Sequence, residues 1–286
     1  MADGRGLNKV NARIQRIIQT ALDEDIGSGD ITTQALVDVK KKGKAKAVAK
    51  GNFVVAGIDV FEAVFRRLDK KIKVSKMAAD GTWVKKGDVL AEVEGPLSGI
   101  LQAERVALNF FQRMCGIATQ TAKYVDAVRG TRAKILDTRK TVPGLRLLDK
   151  MAVRVGGGTN HRFGLYDAVL IKDNHIEAAG GITAAVAAQR KFLKKKMKIE
   201  VETKNLREVQ EALQCGVDII MLDNMTRQAM KKAVERIAGR ALTEASGNVN
   251  LRRVAAIAAT GVDWISIGEL THSVRAADIS LLVMGE

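Results

Sequence analysis

Polar residues in the second half of the chain gather at one kind of place, directly after short apolar runs. Thr138, Arg139 and Lys140 follow AKILD (133–137). AVLIKD (168–173) ends in Lys172 and Asp173, with Asn174 and His175 next. KIEVE (198–202) ends in Glu202, and VDIIMLD (217–223) in Asp223. ALTEAS (241–246) leads into Ser246, Gly247 and Asn248. VDWISIG (262–268) closes on Ile267 and Gly268, before Glu269, Thr271, His272 and Ser273. Between the first two runs lies VRVGGGTNHRFG (153–164), with His161 and Arg162 after its three glycines.

These residue types suit an anionic substrate. Guanidinium forks grip carboxylate or phosphate in two-point fashion, and an ammonium acts as a point charge. Two carboxylates, Glu202 and Asp223, without cysteine or clustered histidine favour a hard Mg²⁺ over zinc. Turns such as Gly156-Gly157-Gly158 and Ser246-Gly247-Asn248 can offer backbone N–H groups to a phosphate. Each feature has a plainer reading: a surface lysine, a simple turn, or Asp223-Asn224 as the cap of a following helix. Only convergence of the run ends on one place makes a site of them. No Walker or Rossmann glycine pattern offers another phosphate cradle.

Convergence depends on the elements. Helical patterns separate several of the apolar runs: ITAAVAAQRKFLKKK, NLREVQEALQCG, MTRQAMKKAVERIAG and NLRRVAAIAATG. Alternating strands and helices at spacings of roughly 20–30 residues predict a parallel α/β barrel, whose strand ends meet at one rim. The first part of the chain reads differently. Residues 10–25 carry a helical apolar stripe, GSGD (27–30) reads as a turn, and strand-like runs around the helix IDVFEAVFRRL predict an α+β domain with a largely antiparallel sheet. GTWVKKGDVLAEVEGPLSGIL (81–101) reads as strand–turn–strand. It resembles half of a biotinyl or lipoyl hammerhead without a modifiable lysine turn. In the helix 104–118, Ala107, Phe110, Phe111 and Met114 share a face, and Arg105 points away from it.

The chain has 286 residues, enough for about two domains. Its formal net charge is +15, which calls for an anionic partner. Lysine-rich runs at 40–50, 66–73 and 190–198 hold much of the surplus. With aromatics at 4% there is little for nucleic-acid bases to stack on, and the runs read as solvated faces. Cys115 and Cys215 form neither a disulfide framework nor a zinc site. No membrane-length apolar run or signal peptide is recognised, and a cytoplasmic setting is expected.

The motifs EDIGSGDITT, ERVALNFFQRMCGIAT, DTRKTVPGLR, VRVGGGTNHRFGLYDAVLIKDNHI, IEVETKN, MLDNM, EASGN and GVDWISIGELTHS run almost end to end. Through them the chain resembles the quinolinate phosphoribosyltransferase family, also called carboxylating nicotinate-nucleotide pyrophosphorylases. The resemblance implies an α+β open-sandwich domain over residues 1–112, joined by the tail 274–286. An incomplete (β/α) barrel of type II phosphoribosyltransferase kind over 113–273 completes it. It implies a cytoplasmic homodimer or homohexamer in which Arg105 enters the neighbour's site. Quinolinate would sit among Arg105, Arg139, His161, Arg162 and Lys172, with Lys140 and Lys172 near phosphoribosyl pyrophosphate. Thr138 lies in the same pocket. Glu202 and Asp223 would hold ribose hydroxyls and Mg²⁺. Ser246, Gly247, Asn248, Ile267, Gly268, Glu269 and His272 would surround the phosphate.

Two residues depart from the family pattern: Asn248 stands where glycine is usual, and Glu269 where a small residue is common. Asparagine tolerates positive φ, so Asn248 can keep the turn. Glu269 must turn its carboxylate away from a bound phosphate. Rival readings are a paralogue linked to molybdenum transport, a transferase for another pyridine acid, a basic nucleic-acid-binding protein, and a barrel subunit without catalysis.

Overall fold

A computed structural model describes residues 10–195 and 197–285. The expectations for residues 1–9, and for Lys196 within the third lysine run, lie outside the described residues. The chain opens with α1 (Ala12–Ile26), α2 (Ile31–Leu36), β1 (Lys42–Ala49), β2 (Phe53–Val54), α3 (Ile58–Leu68), β3 (Lys73–Lys76), β4 (Trp83–Val84) and β5 (Val89–Pro96). The long helix α4 (Leu97–Ala127) comes next, then β6 (Lys134–Leu136) and α5 (Arg146–Val155). Next come β7 (Val169–Ile171), α6 (Asp173–Ala179), α7 (Ile182–Phe192), β8 (Ile199–Thr203), α8 (Leu206–Gln214), β9 (Ile219–Asp223), α9 (Arg227–Ile237), β10 (Leu242–Ser246), α10 (Leu251–Ala258) and β11 (Trp264–Ser266). The chain finishes with α11 (Glu269–His272) and β12 (Ile279–Val283).

Two compact units result. Among the described residues, one comprises 10–122, 141–157 and 270–285; the other comprises 123–140 and 158–269. The first unit holds an antiparallel sheet in the order β12-β1-β5-β3, so the C-terminal strand closes onto the first strand. β1 alternates: Ala45, Ala47 and Ala49 are buried, and Lys44 and Lys46 face out on the other side. Register sets Lys44 opposite Glu94 and Lys46 opposite Glu92, with ion-pair distances of 3.1 and 3.2 Å. The first lysine run is therefore the solvent face of a strand, charge-matched across the ladder, each exposed pair worth about 0.2–1 kcal/mol. β4 pairs with β2 and β5 pairs with β1 and β3, so 81–101 is not one hairpin. Its last residues, from Leu97, are the first turn of α4.

α4 carries the expected face, with Ala107, Phe110, Phe111 and Met114 buried and Arg105 exposed. Arg113 of α4 reaches Asp149 of α5 through two parallel bonds, Nε to Oδ1 and Nη2 to Oδ2, both 2.8 Å. Its Nη2 also donates to the Thr271 carbonyl at 3.0 Å. Asp149 is fully buried, so this fork is what makes its charge tolerable. The glycine-rich segment serves α5. The N–H groups of Gly156 and Gly157 donate to the carbonyls of Ala152 and Arg154, ending the helix rather than facing an anion. A Cβ on Gly156 would stand 2.4 Å from the Ala118 carbonyl, so glycine is needed there for close helix approach.

The second unit is a six-stranded parallel sheet in the order β6-β11-β10-β9-β8-β7. No pairing joins β7 back to β6 among the described residues, so the barrel is incomplete. Thr159 instead forms an isolated parallel bridge to Leu136, laying the segment before His161 along the edge of β6. Helices α7 to α10 separate the strands, as periodicity predicts.

Asp149→Ala should cost about 3–5 kcal/mol, because it leaves the Arg113 guanidinium beside an empty buried position. Urea denaturation of the purified variant measures this. A loss within experimental error of zero would contradict a structural role for the fork.

Candidate functional site

Parallel pairing sets the site before any side chain is considered. In this register Glu202 of β8 is opposite Met221 of β9, Glu244 of β10 is opposite the same Met221, and Ser246 is opposite Asp223. Side chains alternate along a strand. Glu200 and Glu202, Met221 and Asp223, and Glu244 and Ser246 therefore share one face of the sheet. The carboxyl ends of those strands place Glu202, Asp223 and Ser246 at one rim.

Glu202 is buried and lies 3.9 Å from the Nζ of Lys172, which is half-exposed. Burial and the neighbouring Asp223 charge raise the pKa of Glu202. Two carboxylates pressed together this way form a ready place for a divalent cation. Asp173, one residue beyond Lys172, is held by Lys204 at 3.1 Å, and its pKa is lowered by that bond. His175 is not aimed at a substrate: its Nδ1 accepts the Lys172 backbone N–H at 3.0 Å, at the start of α6.

On the β6 side, Thr138 spends its hydroxyl locally, accepting the Lys140 N–H at 3.0 Å. Arg139 is half-buried and Lys140 exposed. Arg162 is partly buried near Arg139; burial and that second guanidinium both lower its pKa. Two like charges in a partly desolvated place form a strong anion trap. Arg162 is anchored by Nη1 donating to the Ala168 carbonyl at 3.2 Å.

His161 is held on every side. Its N–H donates to Asp137 Oδ1 at 2.8 Å, and Asn160 donates to the other Asp137 oxygen at 2.6 Å. Nδ1 accepts the Arg162 N–H at 2.8 Å. Nε2 points inward, 3.1 Å from a Glu200 oxygen and 3.4 Å from a Glu244 oxygen. Burial disfavours a charged imidazole, but the two carboxylates outweigh it and raise the pKa of His161. Burial and the Glu244 charge lift Glu200 to about 7. Because Nδ1 receives an N–H, the network assigns the ring proton to Nε2, facing the carboxylates. Asp137, Glu200 and Glu244 are the participants that reading run ends alone passes over. Period two supplies the missing signal, since Glu200 is two residues before Glu202 and Glu244 two before Ser246.

The turn Ser246-Gly247-Asn248 has left-handed backbone at its last two residues. Gly247 has φ +89° and Asn248 φ +49°. A Cβ on Gly247 would sit 2.3 Å from Asn224 Oδ1. Asn248 Nδ2 donates to Asn224 Oδ1 at 2.9 Å, and Asn224 Nδ2 to Asp223 Oδ2 at 2.8 Å. Arg253 Nη1 caps the Asn248 carbonyl at 2.8 Å. Glu269 turns its carboxylate to the Tyr124 hydroxyl, which donates to Oε1. That removes the objection that it would face an anion. Ile267 is core, with its N–H donating to the Leu136 carbonyl, so its side chain lines no pocket. Gly268 follows it at the strand end. Arg105 and His272 belong to the first unit, both exposed; His272 Nδ1 lies 2.6 Å from Ser273 Oγ.

Comparison with known proteins shows the family. The family models described as quinolinate phosphoribosyl transferase, N-terminal domain and C-terminal domain, match residues 30–115 and 117–282. A nicotinate-nucleotide pyrophosphorylase (carboxylating), chloroplastic, of Arabidopsis thaliana is 47% identical over 94% of this chain and 82% of its own length. A probable nicotinate-nucleotide pyrophosphorylase (carboxylating) of Bacillus subtilis (strain 168) is 41% identical, covering 94% of this chain and 93% of that protein. The solved nicotinate-nucleotide pyrophosphorylase from Francisella tularensis superposes with a TM-score of 0.92 at 42% identity, covering 97% of this chain and 99% of that one. With both family domains matched in order along one chain, and a parallel barrel whose strand ends gather cations and paired carboxylates, this protein belongs to the quinolinate phosphoribosyltransferase family.

Proposed function

We propose that this chain transfers phosphoribosyl from phosphoribosyl pyrophosphate to quinolinate with decarboxylation. The products are nicotinate mononucleotide, CO₂ and pyrophosphate, a step of de novo NAD biosynthesis. The observation that carries the reading is the gathering, at the strand ends of one parallel sheet, of Lys172 with Glu202 and Asp223, and of the half-buried Arg139 and Arg162 on the β6 side. A planar dicarboxylate answers two such forks in a way that a single carboxylate does not.

In this reading Arg139, Arg162 and Lys172 grip quinolinate. The pyridine nitrogen forms a bond to ribose C1 while the C1–oxygen bond breaks and its electron pair leaves with pyrophosphate. Positive charge builds on the ribose ring as negative charge builds on the leaving group. Lys140 and Lys172 stabilise that negative charge as fixed cations. The C2–carboxylate bond then breaks, CO₂ leaves, and the electron pair at C2 takes up a proton. Glu202 and Asp223 would hold ribose hydroxyls and Mg²⁺, directly or through water. The mutual repulsion of these carboxylates suits that cation. When bound, Mg²⁺ neutralises pyrophosphate charge. The turn Ser246-Gly247-Asn248, with Gly268, takes the 5′-phosphate on backbone N–H groups.

Arg105 is exposed on the side of α4 away from its packed face, which supports a role in a neighbouring subunit's pocket, in a homodimer or homohexamer. Free Cys115 and Cys215 agree with a reducing, cytoplasmic setting. No helix among the described residues is long and apolar enough to cross a membrane. The pairing of Lys44 and Lys46 with Glu94 and Glu92 speaks against a nucleic-acid face there.

Arg139→Ala and Lys172→Ala should each lower kcat/KM for quinolinate by about a hundredfold or more while the chain stays folded. An absorbance assay with quinolinate, phosphoribosyl pyrophosphate and Mg²⁺ reads this, and near-normal values in both variants would sink the assignment. Nicotinate in place of quinolinate should turn over poorly. It leaves one buried cation without its carboxylate, a cost of roughly 1–3 kcal/mol or more. Arg105→Ala and Lys140→Ala should each be weak alone and regain activity when mixed, since a mixed dimer contains one intact shared pocket. Absence of rescue would refute subunit sharing.

A further inference from the structure

Glu200 and Glu244 have no place in the reaction as described, and both are buried in the barrel, at 3% and 0% exposure. Burying a carboxylate is unfavourable unless it is paired. Both Glu244 oxygens and Oε1 of Glu200 lack a hydrogen-bond partner among the described residues, and His161 Nε2 meets the acids as close ion-pair contacts rather than as well-aligned hydrogen bonds. Two acids therefore converge on one imidazole nitrogen from strands β8 and β10. Such an arrangement needs an explanation in what it holds.

A metal ion is one candidate, because His161 Nε2 and one oxygen from each acid lie within 4.8 Å of one another. The other ring nitrogen argues against it. A histidine that ligates through Nε2 normally donates its Nδ1–H to an acceptor. Here Nδ1 accepts the N–H of Arg162, so Nε2 keeps its proton and has no lone pair to give. The acids hold an imidazole N–H, and the imidazole holds the backbone of Arg162.

We propose that Glu244, together with Glu200, is a positioning residue for the dicarboxylate pocket. The two acids fix the His161 ring from inside the barrel, and the ring fixes Arg162 through its N–H. The chain of contact is short. Glu244 and Glu200 meet Nε2, Nδ1 meets the Arg162 N–H, and Asp137 pins the His161 N–H from the edge of β6. Arg162 leaves this anchored dipeptide beside Arg139, its Nη1 tied to Ala168. His161 then acts behind the substrate rather than on it: Nδ1 accepts the Arg162 N–H, and Nε2 is turned inward to the two acids at 3.1 and 3.4 Å.

This rests on the quinolinate reading, so the wild-type enzyme is assayed first. If it does not turn over quinolinate, that reading fails; if it does, the variants test the present proposal alone. Glu244→Leu removes both oxygens, and Glu244→Gln keeps the shape and one acceptor. The Leu variant should raise KM for quinolinate roughly tenfold or more, with KM for phosphoribosyl pyrophosphate within about twofold of wild type. The Gln variant should recover most of the loss. A folded Leu variant with wild-type KM for quinolinate overturns the proposal, as does an equal rise in both KM values, which would mark a merely structural acid. If the Leu variant does not fold, Glu244→Gln and Glu200→Gln decide by the same split: a selective rise supports the proposal and unchanged values overturn it. Elemental analysis of undialysed enzyme completes the test. A stoichiometric metal present in wild type and lost in Glu244→Gln would overturn it in favour of a metal centre.

Discussion

Two half-buried guanidiniums near enough to feel each other's charge are an unfavourable arrangement, and much of the second unit is explained by having to maintain it. Arg139 and Arg162 repel each other, and burial weakens the water that would screen them. They stay because their backbones are fixed elsewhere. Arg139 follows β6 directly, and Arg162 follows a segment bridged to the edge of that strand through Thr159. The incomplete barrel matters here. A seventh paired strand between β7 and β6 would occupy the edge that Asp137, Asn160 and His161 use. The gap in the sheet is where the cationic pocket is built.

Charge is arranged in layers across that barrel. Glu200 and Glu244 lie deep, His161 lies against them, and the arginines stand outside. On the β8 and β9 side the sign reverses, with Glu202 and Asp223 at the rim and Lys172 3.9 Å from Glu202. A substrate pair with carboxylates at one end and metal-bound pyrophosphate at the other matches this alternation. A uniformly anionic polymer does not. The net charge of +15 therefore says little about the partner. The β1 lysines are matched by Glu92 and Glu94, whereas a handful of cations with buried backing make the pocket.

The sequence makes some of this plain and hides the rest, for physical reasons. All six barrel strands were legible because parallel strands buried on both faces are continuous apolar runs, and their end residues follow from topology. The direction of Arg105 was legible from helical period alone. α5 was not. Its buried Asp149 and Lys150 interrupt the apolar stripe, and only the Arg113 fork shows why a charge belongs there. The glycines at 156 and 157 look like a phosphate cradle, yet close approach of α4 and α5 requires the first of them. α2 escaped because six residues with an Asp30 cap carry no measurable period.

The departures at 248 and 269 show how a family site tolerates unusual residues. Left-handed backbone at Asn248 costs an asparagine less than other side chains, and its amide gains a bond to Asn224 that glycine cannot make. Asn224 in turn donates to Asp223, so the turn at 246–248 and the Asp223 carboxylate are joined by hydrogen bonds. Glu269 is accommodated by a different route. Tyr124, on the last turns of α4, supplies a buried hydroxyl that draws the carboxylate off the turn. In both places the unusual side chain is absorbed by a neighbour that does no chemistry. The constraint on the site falls on the direction in which each polar group points, more than on the identity of the residue that carries it.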